Sequence, residues 1–304
     1  MTRARSWFRS LAGYDLPELA RGPLIPATIF AVISVSWAMR LGITGFDAWL
    51  YREGSVSWIA GLDPWSAGTA VAHYSGSPLT VLAFAPATLL PEQLFRWGFV
   101  GLSAIALLHA FRHRPVFWLY PPTVLNVAGG NPGGIMVALL MSDSTWARGF
   151  ASWLKTYAAL PALGERAWRG LGATAFLAVL SAVAFPDLWL TYLREFPQIG
   201  ARLLDEVGHN GTIYEAPQLV PFAVLALAYL VRIDPRAAAW LAIPALWPAQ
   251  EFSNALLLAP IVGPWTALIV VIRPAASGAT LAVIAYAATR YVRRRSSAPG
   301  VPSA

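Results

Sequence analysis

The sequence predicts an all-helical, polytopic membrane protein, and three observations carry that expectation. Hydrophobic residues make up 57% of the 304-residue chain and charged residues only 12%, about half the charged share of an ordinary soluble domain. The charges stand mostly at the ends of apolar runs rather than within them. Mean hydropathy is +0.55. This composition excludes a disordered chain, a fibrous repeat and an ordinary soluble enzyme. The 22 basic and 15 acidic residues leave a net charge of +7, and every basic residue except Lys155 is an arginine. Cations at the flanks of apolar runs set membrane topology, so no nucleic-acid partner is expected. The chain has no cysteine, which excludes disulfides, thiolate metal sites and cysteine nucleophiles.

The elements follow in order. Arg3, Arg5, Arg9 and Arg21 precede the first apolar run, and Met39-Arg40-Leu41 after it is unlike a signal-peptidase site. Segment 1–22 is therefore expected in the cytoplasm, and the first run is expected to stay as a membrane helix. Charge-free runs cover 24–39, 77–91, 97–108, 115–142, 170–186, 216–231, 237–250, 252–272 and 274–289. Most are shorter than the ~20 residues that cross a bilayer, but flanking arginines can snorkel. Roughly eight to eleven membrane segments are expected. The 24 prolines, among them Pro86, Pro121, Pro122, Pro132, Pro221, Pro244 and Pro260, are expected to bend or break helices around a cavity, or merely to reflect the commonness of proline in membrane helices. Loop 42–76 is expected outside, the turns at Arg112-His113-Arg114 and Arg166/Arg169 inside, and the net acidic loop 187–215 outside. Residues 1–295 read as one membrane domain, with a polar tail at 296–304.

The first external loop concentrates the chemistry. Asp47 follows the first helix within Gly45-Phe-Asp-Ala-Trp-Leu-Tyr-Arg-Glu-Gly54. Trp49, Tyr51, Trp58 and Trp65 surround it in sequence, and 46–60 suits a helix lying in the membrane interface. The same pattern also describes a plain aromatic belt with a solvated aspartate. Asp63-Pro64 suits a turn. Lys155 sits among apolar residues and is expected either to meet an anion or to snorkel. Gly129-Gly130-Asn131-Pro132 allows close backbone approach to a ligand, or a loose turn. His209 has no second ligand at metal spacing, and His73, His109 and His113 form no set; no metal site is expected.

Asp47 in Phe46-Asp-Ala-Trp-Leu-Tyr51, Gly61-Leu-Asp-Pro-Trp65, and the run from Ser77-Pro-Leu79 to Leu89-Leu-Pro91 resemble the opening of the bacterial polyprenol-phosphate-sugar glycosyltransferases of the GT-C fold. That family includes mannosyltransferases and arabinofuranosyltransferases. Gly129-Gly130-Asn131 resembles a degraded Gly-Gln-x-Asn segment. Lys155 to Pro161 with Arg166, Trp168 and Arg169 resembles the family's Lys-x-x-Pro segment and basic-aromatic turn. His209-Asn210-Gly-Thr-Ile213 resembles an Asn-Gln-Ser-Leu segment. The resemblance runs over about 24–215, in the family's order. His73-Tyr-Ser-Gly-Ser-Pro78 departs from the usual Tyr-Pro-Pro, and the chain is short for the family.

The resemblance implies a GT-C-like helical bundle in the plasma membrane that moves mannose or arabinofuranose from a polyprenyl phosphate to a glycolipid or glycan acceptor outside the cell. Asp47 would be the general base, made a stronger base by partial burial beneath the aromatics. Lys155, helped by Arg40 or Arg52, would hold the donor phosphate. Trp49, Tyr51, Trp58, Asp63, Tyr74, His209 and Asn210 would contact sugar or acceptor. Some enzymes of this fold use magnesium or manganese; with no acidic partner adjacent to Asp47 in sequence, none is expected to be required. The rival expectations are a transporter or lipid flippase, and a non-catalytic membrane scaffold.

Overall fold

The computed structural model describes residues 24–40, 42–69, 72–205, 216–247, 252–272 and 276–296. Helix dominates. α1 (Leu24–Arg40) is the first apolar run, and α2 (Phe46–Ile59) is the aromatic segment around Asp47. A 3-10 turn, Pro64–Ser66, leads into an antiparallel hairpin in which Gly68–Thr69 (β1) pairs with Ala72–His73 (β2), Gly68 opposite His73. α3 (Pro78–Phe84), α4 (Glu92–Ala110), α5 (Pro121–Gly129), α6 (Pro132–Leu140), α7 (Thr145–Leu154) and α8 (Ala159–Gly164) follow. Then come α9 (Trp168–Ala184), α10 (Pro186–Asp205), α11 (Val220–Ile233) and α12 (Pro235–Leu246). A 3-10 segment, Phe252–Leu258, precedes α13 (Pro264–Ala267), α14 (Ile269–Ile272) and α15 (Ala276–Ser296).

The prolines act differently from the expectation. Pro78, Pro121, Pro132, Pro221, Pro235 and Pro264 stand in the first turns of separate helices, where the missing N–H would have no intrahelical partner anyway. Only Pro197 and Pro244 lie inside helices among the described residues. Apolar runs that read as single spans are thereby cut into short helices. The run 115–142 becomes a 3-10 turn, α5 and α6; the run 252–272 becomes a 3-10 segment, α13 and α14.

Among the described residues no single helix is long and apolar enough to cross a membrane. α9 and α10 together pass that test, but they bend by 106° at their junction. The acidic segment expected as a loop is, over its described part, the helix α10. Four of its apolar residues share the face that packs inward. Leu188 and Ile199 are buried, and Tyr192 and Leu203 pack against the same cluster. Glu195 and Arg202 pair at 3.4 Å on its flank.

Two apolar clusters hold the chain. The larger joins α4 to α8, α11, α12, the 252–258 segment and α15 around Phe111, Phe117, Tyr120, Leu140, Leu230 and Trp240. The smaller joins α2, α3, α4 and α10 around Ala48, Tyr51, Trp65, Tyr74, Phe84 and Phe99. The outward surface is apolar too. Leu94, Leu102 and Ile105 on α4, Phe176, Val179 and Val183 on α9, and Phe222 and Leu225 on α11 are all exposed. Contiguous exposed apolar faces of this kind mark contact with lipid or with another protein.

Ionic contacts fall into two sets. Glu165 takes Arg236 at 2.6 Å and Arg148 at 3.6 Å, and Trp240 Nε1 donates to it at 2.8 Å; Asp234 faces Arg290 at 3.7 Å. This set gathers the start of α7, the end of α8, the start of α12 and the end of α15. The other set lies around α2. Arg52 pairs with Glu53, and Arg202 of α10 donates to the Trp65 carbonyl at 2.8 Å. Arg114 ties the α4–α5 connection to the far end of the chain, donating to the carbonyls of Ala259 and Val262 and lying over the Phe117 ring. Burial pulls its guanidinium below the usual value.

Candidate active site

Asp47 is the second residue of α2, in the helix's first turn. The start of α2 is fixed by Gly45, whose positive φ turns the chain out of α1 and whose N–H donates to the Ala128 carbonyl at 2.7 Å. That bond brings the end of α5 against Asp47. The Gly-Gly-Asn-Pro motif explains the rest of the junction. A Cβ on Gly129 would stand 3.0 Å from Asp47 Oδ2, so a larger residue there would press on the carboxylate. Gly130 ends α5 at φ 63°, a left-handed conformation suited to a helix C-terminus. Asn131 then caps α6, its Oδ1 accepting from Gly133 N–H at 2.8 Å, while Pro132 opens the helix. The other end of the same amide, Nδ2, donates to Asp47 Oδ2 at 2.8 Å.

Asp47 is half-buried. The Asn131 amide donor and the first turn of α2 both favour its negative charge.

Lys155 occupies the break after α7, in extended conformation, with its Nζ 5.8 Å from the Tyr157 ring centre. It lines a cleft with Tyr51, Ser75, Gly76, Ser77, Thr156, Tyr157, Tyr192, Trp247 and Asn254. Tyr157 donates to Asn254 Oδ1 at 2.7 Å and packs on Trp247. Tyr51, one helical turn beyond Asp47 on α2, is the wall that connects the two. The cleft volume of about 90 Å³ is below the ~300 Å³ at which small-molecule pockets begin, so it suits a headgroup rather than a whole glycolipid. A second, apolar groove of about 260 Å³ runs between α1, α4 and α5, lined by Val35, Leu108, Trp118, Val124, Val127 and Ala128. Ala128 in its lining is the residue whose carbonyl receives the Gly45 N–H.

The other expected site residues are spread over different tasks. Arg52 donates to the carbonyls of Thr88 at 3.3 Å and Leu90 at 3.2 Å, which holds the end of the 3-10 turn Ala85–Leu89. Arg40 is exposed at the end of α1. Asp63 accepts from Trp65 N–H at 3.0 Å and so caps its turn. Tyr74 is 1% exposed, packed edge-on against Tyr51 at 5.4 Å and closed in by Gly54 and Gly76; no ring face is left for a sugar. Trp49 packs on Phe46 and Trp58 on Phe185, both half-buried. His209 and Asn210 lie outside the described residues. Among the described residues no group of three or more His, Cys, Asp or Glu could hold a metal ion.

Sequence reasoning did not reach the contacts that three residues make here. Asn131 was legible as a helix start, because Asn followed by Pro and an apolar run is an N-terminal signal; its reach to Asp47 was not. Trp65 is fully buried and donates to the Gly76 carbonyl at 2.9 Å. Arg202 joins α10 to that same loop. The chain matches no protein-family model, and no curated protein or solved structure is significantly similar to it.

Proposed function

We propose that this protein is an integral-membrane glycosyltransferase that moves a mannosyl or arabinofuranosyl group from a polyprenyl phosphate to an envelope glycolipid or glycan. The observation that carries the reading is the Asp47 carboxylate. It is fixed by Asn131 on the helix that follows the first apolar run, one turn from the cleft that holds Lys155. A carboxylate to take the acceptor's proton and an ammonium group to balance the leaving phosphate meet the needs of sugar transfer from a phosphate; Lys155 lines the cleft, and Asp47 stands one helical turn from its wall at Tyr51. Asp47 takes the proton of the acceptor hydroxyl as its oxygen bonds to the anomeric carbon. The bond from that carbon to the phosphate oxygen breaks, and its electrons leave with the polyprenyl phosphate, whose charge Lys155 balances. The transition state is oxocarbenium-like, as in glycoside chemistry generally.

The apolar groove beside Ala128 suits an isoprenoid chain. The exposed apolar faces of α4, α9 and α11 suit lipid, and the separation of the Glu165 and Asp234 pairs from the Asp47 region suits a protein with an inner and an outer end. In this reading 42–76 and α10 face the outside, and Glu165, Arg236 and Arg290 face the cytoplasm. The mechanism invokes no metal; loss of activity on chelation, restored by manganese or magnesium, would overturn that part.

The test is transfer by purified protein in detergent. Decaprenyl-phosphate mannose and decaprenyl-phosphate arabinose are offered in parallel, with envelope lipid as acceptor, to the wild type and to Asp47→Asn. Wild-type transfer from one donor, reduced ~10²-fold or more in Asp47→Asn as expected for loss of a general base, supports the reading. Transfer that survives Asp47→Asn, or transfer from neither donor, overturns it.

A further inference from the structure

Asn131 binds in two directions at once. Because Oδ1 is committed to the Gly133 N–H, the group turned toward Asp47 must be the Nδ2 donor, so the helix cap fixes the orientation of the amide. The side chain is 3% exposed, which keeps water from competing for the contact. Gly129 leaves space for the carboxylate, and the backbone N–H of Asn131 donates to the Asn126 carbonyl at 2.8 Å, so the donor sits on a rigid junction.

We propose that Asn131 is a positioning residue for Asp47: through its Nδ2 it fixes the rotamer of the carboxylate and favours its ionised form, so that proton acceptance at Asp47 depends on the α5–α6 junction. The inference rests on the glycosyltransferase reading for its catalytic meaning, but the bond itself is testable without catalysis. Several charged groups stand on the surrounding elements. From α4, Arg96 pairs with Glu92 at 3.3 Å and donates to the Thr44 carbonyl at 2.9 Å. On α2, Arg52 pairs with Glu53 and holds the Thr88 and Leu90 carbonyls. Arg40 ends α1, and Lys155 follows α7. Neither α3 nor α5 carries a titratable residue. The arrangement is a capping residue whose second hydrogen bond is spent on a functional carboxylate, much as outer residues orient catalytic groups elsewhere.

Asn131→Ser and Asn131→Asp separate the two roles, since both retain a good helix cap. A residue that only caps predicts wild-type behaviour for Asn131→Ser. The positioning role predicts that Asn131→Ser, which withdraws the amide donor, raises the protonation midpoint of Asp47 by ~1–2 pH units. That midpoint is read by infrared difference spectroscopy on protein with ¹³C-labelled aspartate, the Asp47 band being assigned by its loss in Asp47→Asn. In the transfer assay Asn131→Asp, which sets a second carboxylate against the first, lowers kcat ~10-fold or more with KM changed less than ~3-fold. It also moves the acid limb of the kcat/KM profile to higher pH. An unchanged Asp47 midpoint in Asn131→Ser, with the thermal transition also unchanged, overturns the inference whether or not the protein transfers sugar. A shifted midpoint in a protein without transfer keeps the positioning role and removes only the reaction.

Discussion

α9 crosses α7 at close range, and the crossing supports a quantitative prediction. A Cβ on Gly170 would stand 2.5 Å from the Thr145 carbonyl oxygen and 2.8 Å from both Gly149 Cα and the Trp146 carbonyl oxygen. Ordinary contact begins at 3.4 Å, so Gly170→Ala forces the helices about 0.6–0.9 Å apart, against backbone that cannot rotate away. Overpacking of this kind costs ~1–3 kcal/mol. The separation also stretches the Thr174 Oγ1 bond to the Gly149 carbonyl, now 3.2 Å, worth ~1 kcal/mol. Better helix propensity returns ~0.5–1 kcal/mol. The net loss is ~1–3.5 kcal/mol, a fall of ~2–6 °C in the thermal transition for a chain of this size. The control is Gly172→Ala on the same helix, where nothing lies within 4 Å of the added Cβ. There the same substitution stabilises by up to ~1 kcal/mol. Both are followed by near-ultraviolet circular dichroism in detergent. Equal transitions for the two variants would refute the argument, because it turns on what each methyl meets and not on the glycine as such.

Two further outcomes follow from buried polar groups. Glu165→Gln keeps an acceptor for Trp240 Nε1 but removes the charge facing Arg148 and Arg236. Arg236 is half in solvent, which discounts its share, so the expected loss is ~1–3 kcal/mol in denaturant unfolding, with Glu165→Ala worse. A loss under ~0.5 kcal/mol in both variants would show the cluster to be neutral. Tyr74→Phe should change stability by no more than ~1 kcal/mol at neutral pH, because the buried Tyr74 hydroxyl has at most the Thr80 hydroxyl to bond. Burial first, and the neighbouring Tyr51 second, hold this phenol well above its usual value. A free tyrosine ionises near pH ~10, so the contribution of folded Tyr74 is intact below that pH and is lost as the pH rises beyond it. Tyr74→Phe should therefore flatten the alkaline loss of stability, and an unchanged alkaline slope would refute the assignment.

What could be read directly was local. The aromatic segment at 46–60 forms a helix because its residues favour one, and Asp63-Pro64 makes a turn because its carboxylate reaches the Trp65 N–H two residues on. The acidic segment was misread as a loop because charge count was weighed ahead of spacing. Leu188, Tyr192, Ile199 and Leu203 lie four, seven and four residues apart in turn, separations that put side chains on one helical face. The prolines were misread as kinks because composition does not say which turn of a helix a proline occupies, and that depends on where the preceding helix stops.

The sequence by itself determined the helical class, the outward apolar surface and the chemistry of Asp47 and Lys155 as side chains. Those follow from residue type and from periods of a few residues. Only the tertiary structure decided that Asn131 bonds Asp47 across 84 positions, that Tyr74 is a packing element rather than a binding face, and that Arg52 holds carbonyls of its own loop. Such pairings are set by which surfaces meet when short helices pack, and the energy of that packing is shared over many distant contacts, so no local pattern encodes it.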